Sequence, residues 1–130
     1  MVKKTSKLKK QILVVDDEPA WLKILSYILR KKGYEVQEVS TATEALETLK
    51  GFKPDLILSD VRMPDMNGFD FLDRVKSTRN NSKTPFVFIT AIDDYDSRKA
   101  AQDLGATDYL TKPFNEEDVV GILSRYIDSN

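Results

Sequence analysis

Four short apolar runs, each followed by or ending in a polar residue, most strongly constrain how this chain can fold. They occupy residues 12–15, 56–59, 86–89 and 109–111. The segments between them carry apolar residues at helical spacing. Apolar and β-branched runs that alternate with helical segments are typical of buried parallel strands. We therefore predict an α/β domain built on a parallel sheet.

The predicted elements alternate regularly along the chain. Strands are expected at 11–16, 34–39, 55–60, 86–89 and 107–111, each followed by a helix. Crossover connections between parallel strands are right-handed, which places helices on both faces of the sheet. The prediction is a doubly wound (βα)5, flavodoxin-like fold whose five parallel strands have the order 2-1-3-4-5.

Local signals refine the prediction of four helices. The first helix is predicted over 19–32, with Ile24 and Ile28 widening its apolar face. Thr41 and Glu44 have the spacing of a capping box before the second helix. Asn115 is expected to cap the last helix, and the fourth helix is expected over 95–104.

The residue types that the chain lacks restrict its chemistry. It has no cysteine and no histidine, which excludes disulfides, thiolate and imidazole metal ligands, and Ser–His or Cys–His nucleophile pairs. Its 130 residues are enough for one domain with a sizeable core. Its net charge of −1 gives no overall attraction to nucleic acid or to a membrane. Any chemistry must use carboxylates, hydroxyls, lysine and a hard metal ion.

The N-terminal segment is basic, with lysines at positions 3, 4, 7, 9 and 10. The apolar run after it is too short for a signal peptide, and no stretch approaches the roughly 20 apolar residues of a membrane span. We expect a flexible lead-in over 1–9, a folded domain over 10–130 and a cytoplasmic location. A basic contact arm is the alternative for 1–9.

The polar residues that end the runs predict a shared site. The carboxyl ends of parallel strands meet at one edge of the sheet, and the residues expected there are Asp16, Asp17, Asp60, Thr90 and Lys112. Carboxylates this close repel one another unless a cation compensates them. Oxygen ligands without nitrogen or sulfur favour Mg²⁺, with Mn²⁺ as the alternative. A lysine and a hydroxyl beside them suit a phosphoryl group.

The same residues stand in four motifs, which are Asp16-Asp17-Glu18-Pro19, Asp60-Val61-Arg62-Met63-Pro64 with Gly68, Thr90-Ala91, and Lys112-Pro113-Phe114. In order and spacing these motifs resemble the receiver domain of two-component response regulators. The resemblance covers residues 10–128, nearly the whole chain.

The resemblance implies a role for each residue. Asp60 is then the phosphoacceptor, taking its phosphoryl group from the phosphohistidine of a histidine kinase or a histidine phosphotransfer protein. Asp17, Asp60 and the backbone carbonyl of Arg62 would hold Mg²⁺, and Asp16 would act mainly through water. Lys112, followed by a cis bond to Pro113, and Thr90 would bind the transferred group.

The resemblance also implies a conformational switch. Thr90 would move toward the phosphorylated aspartate, and Tyr109 would rotate into the space that it leaves. The surface that changes would be the fourth helix, the fifth strand and the fifth helix. A static, half-buried aromatic ring is the alternative for Tyr109.

Four further positions carry separate hypotheses. Arg62 and Ile92 flank the expected phosphoryl group and the small Ala91 leaves access to it, so all three are candidates for tuning its lifetime, although Arg62 is equally explained as a solvated side chain. Trp21 is a candidate anchor for partner docking. Packing against a neighbouring loop is the alternative for Trp21.

Two other classes of function remain as alternatives. A receiver-shaped adaptor would not accept phosphate, but it would be expected to lack an acidic or lysine position, and none is missing. An Asp-nucleophile phosphohydrolase of the haloacid dehalogenase type needs Asp-x-Asp after the first strand, whereas the chain has Asp16-Asp17-Glu18. We expect no turnover enzyme and no direct binding of nucleic acid or membrane.

The output of the domain is left open by the sequence. A downstream protein target or a separate output domain is expected as partner. The chain ends at residue 130, which fits either a stand-alone receiver or part of a longer regulator. A monomer and a homodimer promoted by phosphorylation are both compatible with the sequence.

Overall fold

The computed structural model describes residues 9–127, so most of the predicted lead-in lies outside it. Its sheet has five parallel strands in the order β2-β1-β3-β4-β5. The strands are β1 (Gln11–Val15), β2 (Glu35–Val39), β3 (Leu56–Ser59), β4 (Phe86–Thr90) and β5 (Asp108–Thr111). The predicted strand order is confirmed.

Five α-helices connect and follow the strands. They are α1 (Pro19–Lys31), α2 (Ala42–Thr48), α3 (Gly68–Ser77), α4 (Tyr95–Asp103) and α5 (Glu116–Tyr126), and a short 3₁₀ turn spans Arg79–Asn81. None of the helices in residues 9–127 combines the length and apolar content that crossing a membrane requires.

The sheet separates two apolar cores. On one face, Ile12 and Val14 of β1 pack with buried residues of α1 and α5. On the other face, Leu13 and Val15 pack with residues of α2, α3 and α4. Successive side chains of a strand point to opposite faces, so continuous apolar strands supply both cores. Helices therefore cover both faces, as predicted.

The strand register brings the ends of β1 and β3 together. Val15 lies opposite Ser59, and the Asp60 amide donates to the Val15 carbonyl at 3.0 Å. The Asp16 amide makes the corresponding bond to Val39 of β2, at 3.1 Å. The backbone of both aspartates is thus fixed by the sheet ladder immediately beyond the last paired residues.

Two local predictions are corrected. Ile24 is 47% exposed, whereas Ile28 is buried, because Ile24 lies at the edge of the apolar stripe of α1, where periodicity cannot separate a buried residue from an exposed one. Thr41 caps α2 by accepting from the Glu44 amide, but the Glu44 carboxylate accepts from Ser40 instead of Thr41. The predicted capping box is therefore only half formed.

Asn115 caps α5 as predicted. Its side chain accepts from the Asp118 amide, and the Asp118 carboxylate accepts from the Asn115 amide, both at 2.9 Å. This reciprocal pair is a complete capping box. It fixes the start of α5 directly after the loop that carries Lys112.

Candidate functional site

Three aspartates meet at the carboxyl edge of the sheet. One oxygen from each of Asp16, Asp17 and Asp60 lies within 4.8 Å of the others. Asp16 and Asp60 are buried, while Asp17 is exposed. The convergence follows from the pairing of β1 with β3, because both loops leave the sheet at the same level.

Lys112 balances this negative charge from the loop after β5. Its ammonium donates to Asp16 Oδ2 at 2.8 Å, to Asp60 Oδ2 at 2.9 Å and to Glu18 Oε1 at 2.8 Å. The side chain is only 3% exposed. The Lys112 amide donates to the Thr90 carbonyl at 2.8 Å, and the bond to Pro113 is cis, as predicted.

Burial and ion pairing shift the pKa values of Asp16 and Lys112 in opposite directions. Burial raises the pKa of Asp16, although the hydrogen bond from Lys112 lowers it in part. Burial alone would lower the pKa of Lys112, but hydrogen bonds to the three carboxylates outweigh it and raise the pKa above its ordinary value. Lys112 therefore stays charged throughout the neutral range.

The two oxygens of Asp60 have different surroundings. Oδ1 accepts from the Val61 amide at 2.6 Å and from the Arg62 amide at 3.2 Å. Oδ2 contacts Lys112 instead. These bonds hold the carboxylate in one orientation, with the backbone on one side and the ammonium on the other.

An open cleft of about 500 Å³ leads to Asp60. Asp17, Thr90 and the three predicted tuning residues line it, and it also includes residues that the sequence reading did not assign, namely Glu18, Asp93 and Asp94. Thr90 is 1% exposed, and its hydroxyl accepts from the Ile92 amide at 3.3 Å. The predicted site residues from three strand ends thus share one cleft.

Tyr109 and Trp21 each contact a residue of this site. Tyr109 is half-buried, and its hydroxyl donates to the Ile92 carbonyl at 2.7 Å. The Trp21 ring packs on Phe114 with centroids 4.9 Å apart, and the Lys112 ammonium lies 5.4 Å from its centroid. Trp21 therefore makes the loop packing that was the alternative to a docking role.

Two contacts of the site were not found from the sequence. One is the Glu18–Lys112 pair; its signal was a third acidic residue directly after Asp17. The other is the close fit of Gly68, where an added Cβ would lie 2.6 Å from the Asp60 carbonyl oxygen. The only signal for Gly68 was its place at the end of the Asp60 motif.

Comparison with known proteins agrees with this geometry. The family model of the response regulator receiver domain matches residues 12–124. The transcriptional regulatory protein PhoP of alkaline phosphatase synthesis, from Bacillus subtilis, is 37% identical over 112 residues, which are 86% of this chain and 46% of PhoP. The chain therefore spans about half the length of this curated relative.

Solved structures are similar over nearly the whole chain. Chemotaxis response regulator CheY4 of Vibrio cholerae has a TM-score of 0.87 and 32% identity, covering 92% of this chain and 100% of CheY4. The receiver domain of sensor histidine kinase PA1611 from Pseudomonas aeruginosa, with magnesium coordinated in its active-site cleft, has a TM-score of 0.86 and 30% identity, covering 94% and 100%. The chain belongs to the response regulator receiver domains of two-component signalling.

Proposed function

We propose that Asp60 accepts a phosphoryl group from the phosphohistidine of a histidine kinase or a histidine phosphotransfer protein. The observation that carries this proposal is the setting of its carboxylate, with Oδ1 on two backbone amides and Oδ2 on Lys112. A carboxylate held in this way is oriented for in-line attack at the open cleft.

The transfer exchanges one bond to phosphorus for another. An Asp60 oxygen forms the new P–O bond, the P–N bond to the partner imidazole breaks, and its electron pair returns to the ring nitrogen. Phosphoryl transfer depends mainly on positioning and charge neutralisation. Lys112 supplies a fixed positive charge, and the Thr90 hydroxyl is a donor for a phosphoryl oxygen.

We further propose that the acidic cluster holds Mg²⁺, with Mn²⁺ as an alternative. The donor set fits a hard ion, because the three aspartates offer oxygens within 4.8 Å of one another. Asp17, Asp60 and the Arg62 carbonyl are the proposed direct ligands, and Asp16 is proposed to act through water. The bound ion would neutralise charge on the phosphoryl oxygens. Magnesium in the PA1611 receiver cleft supports this assignment.

The proposed output is a switch through Thr90 and Tyr109 that changes the α4–β5–α5 surface. An aspartyl phosphate adds charge and strong acceptors beside Thr90. The contact of the Tyr109 hydroxyl with Ile92, next to the cleft, supports a link between the two residues. Arg62, Ala91 and Ile92 keep their proposed tuning roles because all three line the cleft.

The proposed setting is signal transduction in the cytoplasm, without enzymatic turnover of a substrate. The upstream partner is the phosphohistidine protein, and the downstream partner is a protein target or a separate output domain. Curated relatives such as PhoP are transcriptional regulatory proteins of about twice this length. Direct binding of nucleic acid or membrane is not proposed for this chain, and a phosphorylation-promoted homodimer remains one form of output.

Intact-protein mass spectrometry tests the central step. The protein is incubated with acetyl phosphate, with and without Mg²⁺, as wild type, Asp60→Asn and the matched control Asp73→Asn on the exposed side of α3. We expect one phosphoryl adduct that requires Mg²⁺ and is lost only in Asp60→Asn. No adduct under any condition would support the adaptor, and continuous phosphate release without dependence on Asp60 would support a phosphohydrolase.

A further inference from the structure

Lys112 has one more carboxylate partner than the proposed reaction needs. Its ammonium contacts Asp16, Glu18 and Asp60 at 2.8, 2.8 and 2.9 Å. A lysine ammonium has three N–H donors, so the resting site uses all of them. A phosphoryl oxygen on Asp60 can bind Lys112 only when one of these contacts is given up.

The solvent exposure of the three carboxylates determines which of them loses its contact with Lys112. Asp16 and Asp60 are 4% and 5% exposed, so losing the ammonium would leave a buried carboxylate without its counter-charge. The Glu18 side chain is 57% exposed. Water can replace Lys112 around Glu18, because an exposed ion pair is worth little relative to its solvated groups. Glu18 is therefore the partner that leaves at least cost.

Trp21 keeps Lys112 in place when Glu18 leaves. The ammonium lies 5.4 Å from the centroid of the Trp21 ring, within the range of a cation–π contact. The ring is itself fixed by packing on Phe114, at 4.9 Å between centroids. This aromatic contact uses none of the N–H donors that the phosphoryl group requires.

We propose that Glu18 is a positioning residue that occupies Lys112 in the resting site and yields this contact to the incoming phosphoryl oxygen. The inference rests on the proposed function, since it requires that Asp60 accept the phosphoryl group. Glu18 then competes with the phosphoryl group for Lys112 and slows phosphorylation. It does not change the lifetime of the phosphorylated state, because its contact is already broken there.

Kinetics with two phosphodonors test this role. Phosphorylation rates are measured with acetyl phosphate, a dianion, and phosphoramidate, a monoanion, at saturating Mg²⁺ and at low and high salt. The variants are Glu18→Gln and the control Glu47→Gln, which removes from α2 an exposed charge that pairs with Lys50. We expect Glu18→Gln to be about two- to fivefold faster at low salt, the range that the loss of an exposed ion pair allows, by the same factor with both donors, and by less at high salt because salt screens the exposed pair.

The two donors separate competition for Lys112 from simple charge repulsion. Repulsion would give a larger effect with the dianion than with the monoanion, whereas release of Lys112 gives the same factor with both. An unchanged rate in Glu18→Gln, or an effect that is larger with the dianion, overturns the inference while leaving phosphorylation of Asp60 intact. A wild-type protein that takes up no phosphoryl group overturns the proposed function and the inference together.

A second readout follows the contact without measuring activity. Nitrogen-15 NMR of the Lys112 ammonium reports its partners directly. We expect Glu18→Gln to shift this signal in the resting protein, Glu47→Gln to leave it unchanged, and the difference between wild type and Glu18→Gln to disappear after phosphorylation. A difference that persists after phosphorylation contradicts displacement of Glu18.

Discussion

The Tyr109 hydroxyl donates a 2.7 Å hydrogen bond to the carbonyl oxygen of Ile92. The Ile92 amide in turn donates to the Thr90 hydroxyl at 3.3 Å. Thr90 and Tyr109, the two residues proposed to switch, are thus both hydrogen-bonded to the backbone of Ile92, Thr90 through the amide and Tyr109 through the carbonyl. Arg98 adds to this arrangement by lying 4.8 Å from the centroid of the Tyr109 ring and bonding Asp93 at 2.8 Å.

Tyr109→Phe removes only the bond to Ile92. A net hydrogen bond contributes about 1 kcal/mol, which corresponds to roughly a fivefold change in a local opening equilibrium. We expect amide hydrogen exchange at residues 92–94 to accelerate by about this factor. Tyr95→Phe is the control, because Tyr95 is 75% exposed. Equal protection in Tyr109→Phe and wild type would show that the bond does not hold the loop.

Gly68→Ala tests how tightly the backbone of Asp60 is packed. The added Cβ would lie 2.6 Å from the Asp60 carbonyl oxygen and 2.7 Å from Val61 Cα. Backbone atoms cannot move aside as a flexible side chain can, so we expect a loss of about 1–3 kcal/mol in the free energy of unfolding. A displaced Asp60 carboxylate should also slow phosphorylation about ten- to a hundredfold.

Urea unfolding and the rate of phosphoryl uptake measure the two effects of Gly68→Ala. Gly51→Ala is the matched control, because an added Cβ there meets nothing within 4 Å. A variant at Gly68 with wild-type stability and rate would mean that the α3 start relaxes without moving Asp60.

The residues at the carboxyl edge of the sheet could be predicted from the sequence because the apolar run of each strand stops where the strand ends. The apolar runs of β1 and β3 stop directly before Asp16 and Asp60, and parallel pairing then brings these residues together. The Glu18–Lys112 contact could not be predicted in the same way. It depends on side-chain conformations in two loops far apart in sequence, and the strand pattern does not specify them.

The prediction of helix details from the sequence was limited for a different reason. Periodicity places Ile24 on the apolar side of α1, but it does not say how far the neighbouring elements extend over that side. Likewise, the spacing of Thr41 and Glu44 predicts a cap, whereas the choice of Ser40 as partner of the Glu44 carboxylate depends on the path of the preceding backbone.

Lys112→Met tests whether the ammonium stabilises the carboxylate cluster. The variant keeps a long side chain next to Trp21 but leaves Asp16 and Asp60 buried without their cation. We expect a loss of about 3 kcal/mol in the free energy of unfolding without Mg²⁺. The pKa of Lys112 is raised above its ordinary 10.5, so the stabilisation that the variant lacks should be complete from neutral pH up to 10.5 and should be lost as the pH rises through the raised pKa.

Mg²⁺ should stabilise Lys112→Met more than wild type. In wild type the ammonium already contacts oxygens of Asp16 and Asp60, and it repels a second cation. Urea unfolding with and without Mg²⁺ measures the difference, with Lys23→Met on the exposed side of α1 as control. No gain in either protein would argue against a metal on this cluster, and an equal gain in both would mean that the ammonium does not oppose its binding.

Asp65 provides a prediction that depends on pH. Its carboxylate accepts from the Thr43 amide at 2.7 Å and from the Ala42 amide at 3.2 Å, so it binds the first free amides of α2 from outside the helix. A hydrogen bond from the Thr43 side chain, together with these amides, lowers the pKa of Asp65 below 3.8. The carboxylate is therefore bound better in the folded protein when it is ionised.

The sign of the effect follows from this lowered pKa. The unfolded chain takes up a proton at Asp65 near pH 3.8, before the folded protein does, so the stabilisation is complete above that pH and is lost as the pH falls through the lowered folded pKa. We expect Asp65→Ala to cost about 1 kcal/mol at neutral pH. The difference from wild type should shrink in acid, as measured by urea unfolding with Asp73→Ala as control. A difference that stays constant with pH would mean that the charge of Asp65 does not contribute to the cap.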